Sequence, residues 1–348
     1  MEGKELIGNL LRGASAIVNR RLGWLTSPRF LWFGVTDQCN SRCSTCNIWR
    51  MTPCDKPLVA ADVDRILRTA PFEKIEYIIN SGGEPSMRSD LKQILHMEYK
   101  TKPKARIQLS TNGILAECVL DVVGFMVEEN GIGLDVGISL DGIGEKHDVV
   151  RGVKGNFEAV DWLLHELKEM QKKHDLNITV GSTLTVQTAE NYRELLEYSR
   201  KMGVPFMFHW FNQSNFYGNM KKKENNGSDM ESVVEASMPC SLYRDMWIQS
   251  LETGKIPRFR CFALNSFMVL KCNGDIAPCL SLWNSVAGNI RDEKYPSCVW
   301  HSERAKAIRK VVKNCSGCLN SWGVNWSLRT SYIPLLVHEV KRRLRNAN

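Results

Sequence analysis

From about residue 30 to residue 211, short β-rich runs alternate with stretches whose apolar residues recur at helical spacing. The runs are Phe30–Thr36, Lys74–Asn80, Ala105–Thr111, Leu134–Leu140, Ile178–Val186 and Val204–Phe211. Between them, Ala61–Thr69 repeats Val63, Ile66 and Leu67 on one helical face, and Ile114–Glu129, Phe157–Lys173 and Asn191–Met202 carry similar stripes. Strands separated by helices predict parallel βα units, whose right-handed crossovers curl the sheet into a full or partial barrel. The expected fold is α/β, a partial (β/α)6 TIM-like barrel over residues 29–219.

The pattern changes after the sixth run. Residues 220–239 combine Lys221-Lys222-Lys223 with Asn225-Asn226-Gly227-Ser228 and few large apolar groups, which predicts an exposed linker. Residues 240–330 hold short segments richer in Cys and Trp without βα alternation. They read as a small second domain that needs a staple besides its core. The two ends differ again. Residues 1–28 carry Leu6, Ile7, Leu10, Leu11, Ala14, Ile17 and Val18 on one helical face beside Arg12, Arg20 and Arg21. Residues 331–348 repeat the design and end in Lys341-Arg342-Arg343 and Arg345. Such basic helices lie on anionic membranes or, more often, dock on their own domain, so peripheral membrane contact is not the favoured reading.

Composition narrows the setting. The chain has 348 residues, 43% hydrophobic and 24% charged, in the range of ordinary globular proteins. No apolar run approaches the ~20 residues of a membrane span. Glu2, Lys4, Glu5, Arg12 and Arg20 interrupt the first segment, which argues against a secretory signal and for the cytoplasm. In a reducing compartment the 12 cysteines read as cluster or metal ligands rather than disulfides. The net charge of +8 fits an anionic partner no better than scattered solvated Lys and Arg, and nucleic acid is not called for.

The chemistry falls at the carboxyl ends of the expected strands, where a βα barrel keeps its active site. Cys39, Cys43 and Cys46 follow the first, Gly82-Gly83-Glu84-Pro85 the second, Thr111-Asn112-Gly113 the third and Ser139-Leu140-Asp141-Gly142 the fourth. Three thiolates within eight residues suit three irons of a cubane. No fourth cysteine stands nearby, so one iron stays open, as at a catalytic rather than a structural metal site. A zinc site completed by a distant ligand, or three unligated thiols, are the blander readings of the same loop. The glycine-rich and Asp-Gly motifs, taken singly, are ordinary turns.

CxxxCxxC after the first strand, followed by GGEP, resembles the radical S-adenosylmethionine superfamily. The resemblance implies a [4Fe–4S] cluster at Cys39, Cys43 and Cys46 whose open iron is chelated by the amino and carboxylate groups of S-adenosylmethionine. It also implies that backbone groups of Gly82, Gly83 and Glu84 bond the methionine ammonium. Ser139 and Arg151, in a stretch similar to the family's SLDG…HD…RG pattern, would meet the ribose and the carboxylate. One departure is Thr45, where that family commonly has an aromatic residue before the third cysteine.

A second set lies downstream. Cys261 is followed after twelve residues by Gly274 and after four more by Cys279, and Lys271–Cys279 reads as a hairpin with an Asn-Gly turn. Cys315-Ser-Gly-Cys318 adds a compact pair, and together the four thiolates saturate a second cluster or a zinc ion. The arrangement resembles the twitch domain, the shortened relative of the SPASM extension, because no cysteine follows Cys318. It implies one auxiliary [4Fe–4S] cluster. Cys272 and Cys298 rank below the chosen four, and Cys54, Cys118 and Cys240 read as ordinary thiols.

The expected activity is reductive cleavage of S-adenosylmethionine and hydrogen-atom abstraction, fed by a flavodoxin- or ferredoxin-type donor. A small, polar, sugar- or cyclitol-like substrate would then be oxidised, with the auxiliary cluster as electron acceptor. Peptide modification is the alternative within the superfamily, and a non-enzymatic iron–sulfur or zinc redox sensor is the alternative outside it. His209 and Trp210 fall on the sixth run, but no acid–base residue is singled out.

Overall fold

The computed structural model describes residues 11–19, 25–221, 230–238, 241–291, 296–315 and 317–346. Leu6, Ile7, Leu10, Arg20, Arg21, Lys222, Lys223, the segment 225–228 and Cys240 lie outside the described residues.

Six parallel strands lie in sequence order: β1 (Phe30–Thr36), β2 (Tyr77–Gly82), β3 (Arg106–Thr111), β4 (Leu134–Ser139), β5 (Leu176–Leu184) and β6 (Phe206–Trp210). This is the expected six-strand parallel core of an open barrel. On β3 to β5 the alternation is regular. Ile107, Leu109, Val136, Ile138, Ile178 and Val180 turn outward into a core shared with the helices Ala116–Gly124 and Asn156–Gln171. Period-two side-chain alternation then leaves the intervening residues to the inner face.

The inner face is polar. Asp135 Oδ2 accepts from Tyr77 Oη at 2.7 Å, and Asp135 Oδ1 accepts from Arg106 Nε at 2.7 Å and Asn177 Nδ2 at 2.9 Å. Tyr77 Oη also reaches Gln108 Oε1 at 3.0 Å. These bonds tie four strands together across the barrel floor.

The second region is joined to the barrel through the sheet. β7 (Phe267–Leu270) pairs in parallel with β1, and β8 (Asp275–Ala277) and β9 (Gly288–Asn289) continue the sheet to nine strands in antiparallel fashion. The expected Asn-Gly turn joins β7 to β8, with Gly274 at φ +94°. The β1 edge would otherwise expose unpaired backbone groups, and the run Phe267-Met268-Val269-Leu270 is buried throughout, as a strand covered on both faces requires. One core therefore unites β1, the helix Ala60–Arg68, β7 and the helices Pro296–His301 and Glu303–Lys313. The helix Ser321–Ser331 closes the open side of the barrel. Trp326 stacks on Phe30 with ring centroids 3.8 Å apart, and Ser321 Oγ bonds His209 Nδ1 at 2.9 Å.

Within the expected linker, Met230–Ser237 is a helix that buries Met230, Val233 and Val234. A second helix that the spacing alone does not single out, Leu91–Thr101, buries Leu91, Ile94 and Leu95 together with Glu98. Glu98 accepts one bond from Asn80 Nδ2 at 2.8 Å and has no cation beside it, so burial pushes its carboxyl up to about 8. The folded chain keeps a proton there that the unfolded chain loses above 4.5. Stability from this group is therefore full in acid and declines as pH rises from the ordinary carboxyl range to about 8. Glu98→Gln keeps the acceptor and removes the titration. Urea unfolding should find it more stable than the parent by ~2 kcal/mol above about pH 8, with the difference shrinking toward zero near pH 4.

Candidate active site

The loop after β1 carries Cys39, Cys43 and Cys46, all half-buried. Its conformation is set by bonds from other strand ends. Arg42 N donates to Arg151 O at 2.9 Å and Ser44 N to Val150 O at 2.8 Å, which fix the middle of the loop against the helix Glu145–Arg151. Asn47 N donates to Tyr217 O at 2.7 Å, and Asn219 Nδ2 to Thr45 O at 3.0 Å, which fix its far end to the segment after β6. Thr45, the departure from the usual aromatic, is thus held through its carbonyl.

The Gly82-Gly83-Glu84-Pro85 turn packs on the root of the same loop. Gly83 N donates to Thr36 O at 2.7 Å and Glu84 N to Gln38 O at 2.8 Å. A Cβ at Gly83 would stand 1.9 Å from Gln38 O, and one at Gly82, where φ is +124°, would stand 2.0 Å from Thr36 O. The glycines therefore permit a close approach of backbone to backbone. The amides of Gly83 and Glu84 are spent on this contact, and a ligand ammonium, a donor only, would take carbonyl oxygens from the motif. The Glu84 carboxylate points into the protein. Its Oε1 accepts from Ser86 N, Ser86 Oγ and Thr111 Oγ1 at 3.1, 2.7 and 2.7 Å, and its Oε2 from Asn112 N at 2.7 Å. Burial raises its pKa and these bonds work against that rise.

Arg151 sits behind the loop rather than out in the mouth. Its Nη1 donates to Cys43 Sγ at 3.5 Å, and its Nε lies 2.7 Å from Asp141 Oδ2, a close charge pair without an aligned hydrogen bond. Burial acts to lower its pKa, but Asp141 and Cys43 outweigh it and raise the value above the ordinary one. Ser139 closes β4, half-buried and in register with Gly181 of β5.

A chain of polar residues completes the support. Asn112 Nδ2 donates to Asn40 Oδ1 at 2.8 Å, and Asn156 Nδ2 donates to Asn112 O at 3.1 Å. His147 Nε2 meets Asn156 Oδ1 at 3.0 Å, while Asp141 N donates to His147 Nδ1 at 3.0 Å. Nδ1 is therefore the acceptor and Nε2 carries the proton. Burial, followed by the Arg151 charge, pushes His147 down to about 4, which keeps it neutral. Asp141 returns the chain to Arg151 and Cys43, and its other oxygen accepts from Ser182 Oγ at 2.7 Å. Asn112, Asp141, His147 and Asn156 are 5%, 2%, 0% and 1% exposed, so this chain is an internal frame around the thiols. Of the four, Asn156 went unread in the sequence.

The loop fits an iron–sulfur cluster by the chemistry of its surroundings. Ile48 N points at Cys46 Sγ at 3.4 Å, Asn112 Nδ2 lies 3.9 Å from Cys39 Sγ, and Arg151 faces Cys43. Donors aimed at sulfur are what a ligated cluster uses to tune its potential. Burial pushes the Cys39 thiol up to about 11 and Cys46 to about 12, a setting that yields thiolates only against a cationic group.

The second set also comes together. Burial raises Cys279, with Cys261 and Cys318 as its neighbouring thiols, and raises Cys318 to about 12, with Cys261 and Cys315 beside it. Ala263 N donates to Cys261 Sγ at 3.5 Å. Gly317, at φ +107°, lets the Cys315–Cys318 pair turn back on itself. The competing cysteines lie elsewhere. Cys272 Sγ donates to Asp37 Oδ2 at 3.6 Å beside Cys54, whose amide donates to both Asp37 oxygens at 2.9 and 3.1 Å. Cys118 and Cys298 are exposed. A cavity of about 520 Å³ opens between the two regions, walled by Thr36, Asp37, Ile48, Phe216, Lys271 and Trp283.

Known proteins share these features. The profile of the Radical SAM superfamily matches residues 34–205, and the profile of an iron–sulfur cluster-binding domain, SPASM, matches residues 261–319. Fe-coproporphyrin III synthase of Methanosarcina barkeri is 31% identical over 155 residues, 44% of this chain and 37% of that protein. Pre-heme d1 synthase of Dinoroseobacter shibae is 31% identical over 181 residues, 51% of this chain and 41% of that protein. The chain thus spans about two fifths of the length of these two relatives. GTP 3',8-cyclase of Aliarcobacter butzleri is 24% identical over 309 residues, 82% of this chain and 89% of that protein.

Among solved structures, Streptococcus suis SuiB bound to S-adenosylmethionine superposes with a TM-score of 0.65 at 16% identity, covering 84% of this chain and 70% of that one. AnSMEcpe with bound AdoMet gives 0.60 at 16% identity over 89% of this chain and 99% of that one. At that identity the likeness is one of fold. Two family profiles in the right order, on a six-strand parallel barrel, make this chain a member of the radical SAM superfamily with a SPASM domain, an enzyme whose cofactors are S-adenosylmethionine, its [4Fe–4S] cluster and auxiliary iron–sulfur centres.

Proposed function

We propose that this enzyme oxidises a small polar substrate held on the inner face of the barrel, using Cys39, Cys43 and Cys46 for the first cluster and Cys261, Cys279, Cys315 and Cys318 for one auxiliary cluster. The observation that carries the reading is the contrast between the two sets. Three cysteines leave a coordination position for S-adenosylmethionine, whereas four leave none for substrate and suit an electron acceptor. When bound, the first cluster supplies the electron that splits S-adenosylmethionine into methionine and a 5′-deoxyadenosyl radical. The protein's own part is to orient and to exclude water.

In this reading Gly82 to Glu84 present carbonyl oxygens to the methionine ammonium, and Ser139 at the end of β4 meets the ribose. Arg151 positions Cys43 and lends positive charge to the carboxylate side of the site. The substrate would lie among side chains of the Gln108 kind. Gln108 shares a face with Thr179, both within 3.8 Å of the position a Cβ on Gly137 would take. His209 borders this face, with Nε2 2.8 Å from the corresponding point on Gly181 and Nδ1 bonded to Ser321. Burial lowers its pKa, so it enters as a neutral imidazole.

The experiment is anaerobic. The reconstituted protein with S-adenosylmethionine and a strong reductant should release 5′-deoxyadenosine, and a redox-sensing protein without enzymatic activity would release none. With a turned-over substrate, oxidation returns electrons to the enzyme, so reductant should be needed only to start the reaction. A steady demand for two external electrons per product, one to split S-adenosylmethionine and one to quench the product radical, would exclude this outcome in favour of a redox-neutral one. Modified peptide as the product would favour the peptide-modifying alternative.

A further inference from the structure

The helix Ile333–Asn346 is fixed along one side only. Leu335 packs in a core with the helix Leu242–Thr253, and His338 Nε2 bonds Asp245 Oδ2 at 2.8 Å. The other side is apolar and open to solvent: Ile333 is 39%, Val337 47%, Val340 48% and Leu344 63% exposed. Their spacing of four, three and four places them in one stripe along the helix. At about 100° per residue, position 341 lies beside that stripe on one side. The sequence has Lys341 there, at the start of a basic run with Arg342, Arg343 and Arg345.

A second helical segment joins this one. Residues 11–19 are helical, and Gly13 lies so near the corner at Ser331 and Tyr332 that a Cβ would stand 2.2 Å from Ser331 O. Ala16 and Ile17 pack inward on the core. Leu11 and Val18 are 67% and 49% exposed, and Ala14 between them is exposed as well. The chain thus brings two helices together at one corner and leaves an aliphatic stripe bare on each.

We propose that this corner is a docking surface for an anionic lipid bilayer, on which the enzyme rests with its terminal helices in the interfacial plane. Three observations favour a bilayer over a protein. The exposed residues are aliphatic, whereas protein hot spots draw on Trp, Tyr and Arg in buried pockets. An exposed lysine beside a narrow apolar stripe, in a run rich in basic residues, suits a helix that inserts its stripe and leaves cationic groups among phosphates. A second copy placed stripe to stripe would bring this basic run against its own like charges. No described helix is long and apolar enough to cross a membrane, so the contact is one of surface attachment.

Flotation of the full chain with phosphatidylcholine vesicles, with and without phosphatidylglycerol, tests this directly. Binding should appear with phosphatidylglycerol and fall by at least roughly tenfold without it or in high salt. Val337→Gln with Leu344→Gln, both good helix formers at exposed positions, should also weaken binding by about tenfold or more. Melting temperature and S-adenosylmethionine cleavage in that variant should match the parent. The proposal is overturned if no vesicles are bound, if the double variant floats as well as the parent, or if the parent sediments as a dimer that the double variant converts to a monomer without any vesicle binding.

Discussion

Replacing Cys39, Cys43 and Cys46 together by alanine should abolish 5′-deoxyadenosine formation while leaving about half of the iron on the protein. The expected loss is complete rather than graded, because no other side chain can take over the electron entry point. The variant should nonetheless fold. The loop is held by backbone bonds to Val150, Arg151 and Tyr217 and by the Asn40–Asn112 contact, none of which involves a thiol. Removing sulfur atoms that are half-buried leaves small gaps, costing about 1 kcal/mol each. Iron analysis and near-ultraviolet absorbance of the reconstituted variant, beside an assay for 5′-deoxyadenosine, check both halves. Loss of all iron would mean that the second set does not hold a cluster by itself. Retention of all of it would mean that Cys39, Cys43 and Cys46 hold none.

Much of this arrangement was legible in the sequence, and the reasons differ by element. β1 has the bounds that its run of apolar residues predicts, Phe30–Thr36, because every position in it is buried and both ends meet turn-forming segments. The chemistry of the β1 loop was legible because cysteine spacing is a local property. The role of β7 was not. Nothing local in Phe267–Leu270 says which strand it will pair with, and only the bare edge of β1 settles that.

The inner frame was hidden for a related reason. Asn112, Asp141, His147 and Asn156 are polar residues at strand ends or helix starts, where sequence patterns suggest turns and solvent. Asp141, His147 and Asn156 bond one another within the segment after β4, but the frame closes only through Asn112 and Asn40 from the loops after β3 and β1, so no single window along the chain contains the whole signal. A conflict of the same kind hid the helix Leu91–Thr101, whose buried face includes Glu98. Arg151 was picked out by its motif, but the motif alone did not show that Asp141 would claim one side of its guanidinium and Cys43 the other. The placement changes the weight of its proposed role from gripping a ligand to holding the loop.

The second large effect belongs to the auxiliary set. Cys279→Ala combined with Cys318→Ala should halve the iron content, preserve cleavage of S-adenosylmethionine, and lower substrate oxidation by ~10³-fold or more. The two thiols stand near one another and near Cys261, and without them the half-buried Cys261 and exposed Cys315 are too few to hold a cluster. The first site should be unaffected, since the backbone bonds that fix the Cys39–Cys46 segment go to Val150, Arg151 and Tyr217 and involve neither Cys279 nor Cys318. Cleavage would then run uncoupled, with 5′-deoxyadenosine formed in excess of product, because the substrate radical has lost its route for the second electron. The ratio of 5′-deoxyadenosine to product is the measurement. A ratio that stays near one, with product formed at the parental rate, would show that the auxiliary cluster is structural and that the electron leaves by another path. A large rise in the ratio, with the folded state intact by circular dichroism, would identify the four-cysteine centre as the acceptor.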